Sequence, residues 1–522
     1  MSTEDAMRVL IEEIESKRRL NLINHPNSTK QNRHNLSKLH VRERISLLLD
    51  NSQFFEIGSL VTPEDNPKDP DHKSPADGVV TGTGRINNRP VSIVGNDFSV
   101  MGGSMGTAGG RKVEHQAQTA LREGHPLIML FESGGHRIQE ALDSRHFSFG
   151  GDVGFQLKTL CALSGWTPTI ALMLGSNFAG PSNYAAFADV VIMIRNSSVM
   201  GIAGPALVRL ATGEELSKED LGSAELQADQ LGMADFVCDS EEEALALTRD
   251  ILAYLPQNSA ESAPITANAE PLTASELLSL VPTSLRRGYD IKPVLKAIVD
   301  EDSFLEFKSG FAKNLVIGFA RLNGRPVGVL ANQPMHLAGS LDADACEKGA
   351  HFVSMCDAYG LPLVYFIDTP GLLVGMSAER SGLLRRSAKM IFALGQATVP
   401  RFSVIVRKAY GIAYQTMSGG RDFGNDLSLL WPTAEICGMQ IEGAVDIIYR
   451  REIESAPIPE ARRMEIIGEF RDRVSPIQAA GGFGVDELIN PRDTRERLIE
   501  ALSRAKERDL HEPPRKHPIF PI

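Results

Sequence analysis

The chain has 522 residues, 42% of them hydrophobic and 23% charged, with a formal net charge of −12. That length exceeds one ordinary core, since single cores stop growing near ~250–300 residues, and the acidic balance disfavours a nucleic-acid binder. No apolar stretch approaches the ~18–20 residues that cross a bilayer, and the five scattered cysteines (Cys161, Cys238, Cys346, Cys356, Cys437) form no Cys-x-x-Cys pair, which suits reduced thiols and argues against a zinc ribbon.

Residues 4–20 read as an amphipathic helix, with Met7, Leu10, Ile11 and Ile14 at helical spacing. The segment mixes acids with its apolar residues and has no h-region, so it is not a secretory signal. With the bulk properties this predicts a cytoplasmic protein without membrane association. Residues 21–40 are polar and read as extended, and VRERISLLLD (41–50) reads as a second helix. PVSIVG, PLIMLF, PTIALMLG and VVIMI are apolar throughout, as suits strands covered on both faces. RKVEHQAQTALREG (111–124) and DACEKGAHFVSMCDAYG (344–360) are helical. The acidic run DSEEEA (239–244) reads as a solvated helix start, and 257–275, rich in Ala, Ser and Pro, as an interdomain linker. The tail from RREIESAP begins as charged helix and ends Pro-rich at HEPPRKHPIFPI.

The chain also repeats itself. RINNRPV (85–91) returns as RLNGRPV (321–327), and PLIMLFESGG (126–135) as PLVYFIDTPG (362–371), both at an offset of 236 residues. TPTIALMLGSNFAG (167–180) matches VPRFSVIVRKAYGI (399–412) at an offset of 232. Solenoid periods are ~20–50 residues, so this is one α/β fold duplicated. The expected domains are 1–260 and 261–522. Alternation of strands and helices implies mostly parallel strands, whose carboxyl ends are where ligands sit.

Four loops follow those strand ends. In ESGGHRIQE (132–140), Gly134 and Gly135 leave bare amides suited to an anionic oxygen, or else serve only a tight turn. In GSNFAGPSNYAA (175–186), Ala179 and Gly180 lead into a helix with Pro181 near its first position. Amides of Gly135 and Gly180 converging on one carbonyl oxygen would form an oxyanion hole for an enolate. The counterparts are Gly371 and Ile412–Ala413 in RKAYGIAYQTM (407–417). NDFSVMGGSMGTAGG (96–110) lacks the GK[ST] ending of a P-loop and is not a GxGxxG fingerprint. A wall for a thioester and its pantetheine arm, through Gly102, Gly103 and Ser104, fits better, with a plain turn as the alternative. His115, His125, His136 and His146 do not have metal-ligand spacing. No metal cluster, Ser-His-Asp triad or paired carboxylates stand out, so backbone amides and a bound cofactor must carry any chemistry.

NDFSVMGGSMG, ESGGHRIQE, FVSMCDAYGLPLVYFIDTPG, ATVPRFSVIVRKAYGIAY and WPTAEICGM resemble the carboxyltransferase (beta) subunits of biotin-dependent acyl-CoA carboxylases, from about residue 30 to the end. The resemblance implies two tandem crotonase-like (ClpP/crotonase) β-β-α superhelix domains, the first on the acyl-CoA side and the second on the biotin side. It implies a homo-oligomer, typically a hexamer with sites at dimer interfaces. Carboxybiotin would release CO₂, and its ureido nitrogen would take the α-proton of a coenzyme A thioester, whose enolate then attacks CO₂. By motif match the thioester oxygen would meet Ala179 and Gly180, and the biotin oxygen Ile412 and Ala413, with Tyr410 and Gly411 beside them. Biotin would arrive on a separate carrier subunit, loaded by a biotin carboxylase. The same site would serve decarboxylation or transcarboxylation, and a catalytically inert assembly paralogue is the remaining alternative. Departures from the family pattern are His136 in SGGHRIQE, Pro181 in AGP, Ile412 and Gln415 in AYGIAYQ, and PGLLVG…AERSGLLRRSAK (370–389). They place Gln415 and His136 as candidates for substrate choice.

Overall fold

Both halves of the chain open their central sheet with the same tight hairpin. In the computed structural model, which describes residues 2–23, 38–63, 74–148, 153–271, 273–421, 423–508 and 516–521, β1 (Phe54–Ile57) pairs with β2 (Val79–Ile86), which turns into antiparallel β3 (Arg89–Asn96). The turn residues Asn87 and Asn88 have φ of 51° and 62°. Two positive φ values in a two-residue loop match the right-handed twist of the strands, and Asn tolerates them. The first unit, Met1–Ser262, continues with β4 (Leu127–Ser133), β5 (Thr169–Phe178), β6 (Val190–Ile194), β7 (Val199–Gly201) and β8 (Phe236–Cys238). The sheet order is β1-β2-β3-β4-β5-β6-β8, with β7 paired to β5, and the strands from β3 onward are parallel.

The second unit, Ala263–Ile522, repeats this. Its strands are β9 (Leu305–Phe307), β10 (Leu315–Leu322), β11 (Arg325–Asn332), β12 (Leu363–Thr369), β13 (Arg401–Tyr410), β14 (Leu427–Leu430), β15 (Glu435–Cys437) and β16 (Glu487–Leu488). The order is β9-β10-β11-β12-β13-β14-β16, with β15 on β13. The hairpin turn is Asn323–Gly324, at φ of 53° and 75°. β4 and β12 are buried at every position, which is why their sequences are continuously apolar.

In each unit a helix follows β3 or β11 and lies against the hairpin: Thr107–Glu123 and Ala343–Ala358. Lys112 and Lys348 stand at equivalent turns of these helices and are buried. Lys112 donates to the carbonyls of Ala76 and Val79, and Lys348 to those of Lys308, Phe311 and Leu315. Burial pushes Lys112 down to about 8 and Lys348 down to about 7.

Several sequence expectations change. The first helix spans Thr3–Ile23, and its Met7, Leu10, Ile11 and Ile14 are exposed. The second ends at Leu48 rather than residue 50. Residues 24–37 of the expected extended segment and 509–515 of the Pro-rich tail lie outside the described residues. The acidic run does start a helix, Glu241–Tyr254, but Glu241 is not solvated. Arg44 reaches it with contacts of 2.6 and 2.8 Å and buries it. The expected linker is tied down at both ends. Thr167 donates to the Gln257 carbonyl and Asn258 to that of Gly124 in the first unit, and Thr266 donates to Gly324 in the second.

Candidate active site

The site elements of the first unit converge at the carboxyl ends of β4 and β5. The Gly-rich loop is zipped to ESGGHR along its length. Gly134 donates to Gly102 (3.1 Å), Met105 to Gly135 (3.0 Å) and Arg137 to Met105 (2.8 Å), while Ser133 Oγ donates to the Gly103 carbonyl at 2.7 Å. A Cβ on Gly103, at φ 69°, would lie 2.2 Å from the Glu132 carbonyl oxygen, so this close approach requires glycine. Ser104 and His136 are half-buried in the same clasp. Below it Arg137 pairs with Asp77 (2.6 Å) and Glu140 (2.8 Å). Asp77 also accepts the Gly109 amide and Glu140 the Thr107 amide. These two carboxylates occupy the head of the Thr107–Glu123 helix, where a phosphate would otherwise bind. Burial raises the Asp77 pKa against the pull of Arg137.

At the end of β5 the chain pivots on Ala179, at φ 59° and ψ −117°, into the helix Gly180–Ala185. This conformation is costly for a residue with a Cβ. The Ala179 amide donates to the Gly201 carbonyl at 3.1 Å. It is therefore consumed by β7 and differs from the expected role as an oxyanion donor. The Gly180 amide heads its helix, where no intrahelical acceptor exists, and the space where its Cβ would stand is open to 4 Å. The Gly135 amide donates to Ser133 Oγ at 3.1 Å.

The second unit rebuilds this turn by turn. Gly339 replaces Gly103, with a Cβ position 2.3 Å from the Asp368 carbonyl oxygen. Leu341 bridges Leu372 as Met105 bridges His136. Gly371 donates to Thr369 Oγ1 at 3.3 Å. β13 ends at Tyr410, which is buried and donates its hydroxyl to Glu435 at 2.6 Å. The chain then pivots on Gly411, at φ 58°, into the helix Gly411–Thr416. Ile412 and Ala413 occupy its second and third positions, so their amides also lack intrahelical acceptors. Gln415, one turn on, lines a cavity of about 490 Å³ with Tyr414, Arg421, Arg473, Ser475 and Gln478.

The two strand-end acids are held differently. Glu132 receives Arg44 (2.7 Å) and Lys38 (2.8 Å). Burial works against its charge, but these cations hold its pKa below the ordinary value. Asp368 receives Arg407 at 2.8 Å, and both are 1% exposed. Sequence reading missed these pairs, as well as Asp77–Arg137 and the two buried lysines. The offset of 236 between Lys112 and Lys348 was the available signal. Of the histidines, His115 is exposed and His125 half-buried, and the side chain of His146 is outside the described set. Among the described residues no group of three metal-ligating side chains gathers, and no helix is long and apolar enough to cross a membrane.

Two α/β units thus each end their fourth and fifth strands in amide-bearing turns. The carboxyl transferase domain family matches residues 32–520, and the chain belongs to it. It is 40% identical to the propionyl-CoA carboxylase carboxyltransferase subunit of Haloferax mediterranei, covering 94% of each chain. It is 39% identical to the methylmalonyl-CoA carboxyltransferase 12S subunit of Propionibacterium freudenreichii subsp. shermanii, covering 94% of this chain and 93% of that one. A transcarboxylase 12S crystal structure, a hexamer with methylmalonyl-coenzyme A and methylmalonic acid bound, superposes with a TM-score of 0.91 over 98% of both chains at 39% identity. The two units are thus tandem crotonase-type domains, and the chain is a biotin-dependent carboxyltransferase.

Proposed function

We propose that this chain transfers a carboxyl group between biotin and the α-carbon of an acyl-CoA, with unit 1 on the acyl-CoA side and unit 2 on the biotin side. The observation that carries this is the duplicated pivot, Ala179 and Gly411 at φ of 59° and 58°, which turns helix-head amides out at the ends of β5 and β13. Gly180 meets the thioester oxygen as it gains enolate charge, with the Gly135 turn beside it. Ile412 and Ala413 meet the biotin ureido oxygen, with Gly371, Tyr410 and Gly411 shaping that side. Biotin supplies and accepts the carboxyl group when bound. The chain's own amides lower the cost of charge on each oxygen, usually the largest catalytic term. Gly102, Gly103, Ser104 and Gly134 form the wall along the CoA arm.

Biotin arrives on a carrier subunit loaded by a biotin carboxylase, and the chain works as a hexamer in the cytoplasm. The hexameric transcarboxylase neighbour supports the assembly. One site serves both directions of transfer by microscopic reversibility. Gln415 tunes the acyl preference, since it borders a cavity it shares with Arg421, Arg473, Ser475 and Gln478, where a buried donor amide left unpaired costs ~1–3 kcal/mol. His136, where the family carries alanine, contributes on the CoA side. The test is incubation with free biotin and a panel of malonyl- and methylmalonyl-type CoA esters. Decarboxylation of any ester supports the reading, and inertness toward all of them rejects it. For Gln415, kcat/KM across short, branched and polar acyl-CoAs is compared with Gln415→Asp. An unchanged ranking removes Gln415 from specificity.

A further inference from the structure

The two strand-end turns share a backbone but not a donor count. β5 ends at Phe178, opposite Gly201 of β7, and β13 ends at Tyr410, opposite Cys437 of β15. This fixes the equivalence of the turns at the offset of 232 seen in the sequence. Ala179 corresponds to Gly411, with matching φ of 59° and 58°, Gly180 to Ile412, and Pro181 to Ala413. Ile412 and Ala413 both carry an N–H. In unit 1 Gly180 carries one and Pro181 carries none. The loop glycines do not restore the balance, because Gly135 and Gly371 spend their amides alike on Ser133 and Thr369 hydroxyls. The Ala179 amide is spent on Gly201.

Proline costs the fold nothing here. At the start of a helix its missing N–H is one of the groups without an intrahelical acceptor, and its fixed φ suits the turn. A ligand oxygen in front of that helix does lose a donor. We infer that Pro181 removes one of the two main-chain donors equivalent to Ile412 and Ala413, leaving Gly180 alone of that pair and holding the acyl-CoA step below the rate the fold permits. The inference rests on the reading of the helix heads as oxyanion sites.

Any residue other than proline at 181 restores the N–H. The helix is held independently of residue 181, because Ser182 Oγ donates to the Asn177 carbonyl (3.0 Å) and accepts the Gly201 amide (3.2 Å). The experiment measures decarboxylation of the CoA ester that wild type turns over, with free biotin, for full-length Pro181→Ala, Pro181→Ser and Pro181→Gly. Melting and elution behaviour are followed alongside. One oxyanion donor is worth ~10²–10³ in rate, so kcat is expected to rise by at least about tenfold and similarly in all three, with KM little changed. A transition-state donor has this signature, whereas a packing change would vary with the side chain. Folded variants with wild-type or lower kcat, or a gain that tracks side-chain size, overturn the inference while the functional reading stands. If wild type and all three variants are inert toward every ester, the functional reading falls and this inference with it.

Discussion

Unit 1 and unit 2 share a strand order, a hairpin and two strand-end turns, yet they anchor those turns with different charges. In unit 1 the acid at the end of β4 is Glu132, clamped by Arg44 and Lys38 from outside the sheet. It lies over Gly175, whose Cβ would be 2.6 Å from its side chain. In unit 2 the position equivalent to Gly175 is Arg407, which fills that space and pairs with the shorter Asp368. Arg407 also donates to the carbonyls of Ser284 and Arg287 and lies 4.6 Å over the Tyr289 ring. The backbone frame is the inherited constant. The ionic support was re-solved separately in each copy, with acid length and strand side chain adjusted together.

Breaking that support gives the largest expected effect. Arg407→Ala leaves Asp368 buried with Lys408, at 3.6 Å, as its remaining cation among the described residues, and is expected to destabilise unit 2 by about 3–5 kcal/mol. Calorimetric unfolding checks this, and an unchanged transition refutes the account of the pair. Next in size is the loss of a helix-head amide. Gly180→Pro is expected to lower kcat by about 10²–10³, and Ile412→Pro by less, because Ala413 still donates beside it. Equal losses would mean that the two turns do not differ in donor count.

The pivots sharpen the comparison at smaller scale. Ala179 stands at φ 59° and ψ −117°, and its unit 2 counterpart at a like φ of 58° is glycine, Gly411. Ala179→Gly is expected to stabilise the protein by about 1 kcal/mol, through relief of strain. A lower melting temperature would show that the alanine is not strained. A last effect, spread over several pH units, comes from the buried lysines. Their folded pKa values, about 7 for Lys348 and about 8 for Lys112, lie below the ordinary 10.5. Above those values the unfolded chain holds protons that the folded chain has released, so stability rises with pH up to about 10, by at most ~1.4 kcal/mol per unit per lysine. Below pH 7 both are charged in both states and the contribution is flat. Lys348→Met should remove the rise that begins near pH 7, and Lys112→Met the part that begins near 8. Denaturant midpoints from pH 6 to 10 test the order.

The parallel core was legible because period and burial agree there. VVIMI is β6, residue for residue, PVSIVG falls within β3, and PLIMLF and PTIALMLG fall within β4 and β5 except for their leading prolines. The offsets of 236 and 232 carried the duplication. β2 and β10 were not read as strands, because VVTGTGRI contains glycines that weaken a strand signal. Gly82 and Gly84 are there for tertiary reasons. Their Cβ atoms would meet the Phe55 carbonyl at 2.2 Å and Leu49 at 2.4 Å, a close approach no local pattern reveals. Asn-Asn and Asn-Gly were the missed turn signals. At the site, the loops expected as GSNF and RKAY turned out to be the last turns of β5 and β13. Ala179 was paired with Gly180 by motif match, which carries no information about the Gly201 carbonyl that takes its amide. Carrying the 232 offset through the loop would have set Ala179 against Gly411 and exposed Pro181.

The paired lysines have one more consequence. Lys112 and Lys348 are 7% and 3% exposed, and each belongs to a different unit. An acylating reagent in water should leave both amines unmodified while surface lysines react. Each would become reactive only when its own unit opens. Peptide mapping of a timed labelling reaction would then report the opening of the two halves separately, from one sample and without an added probe.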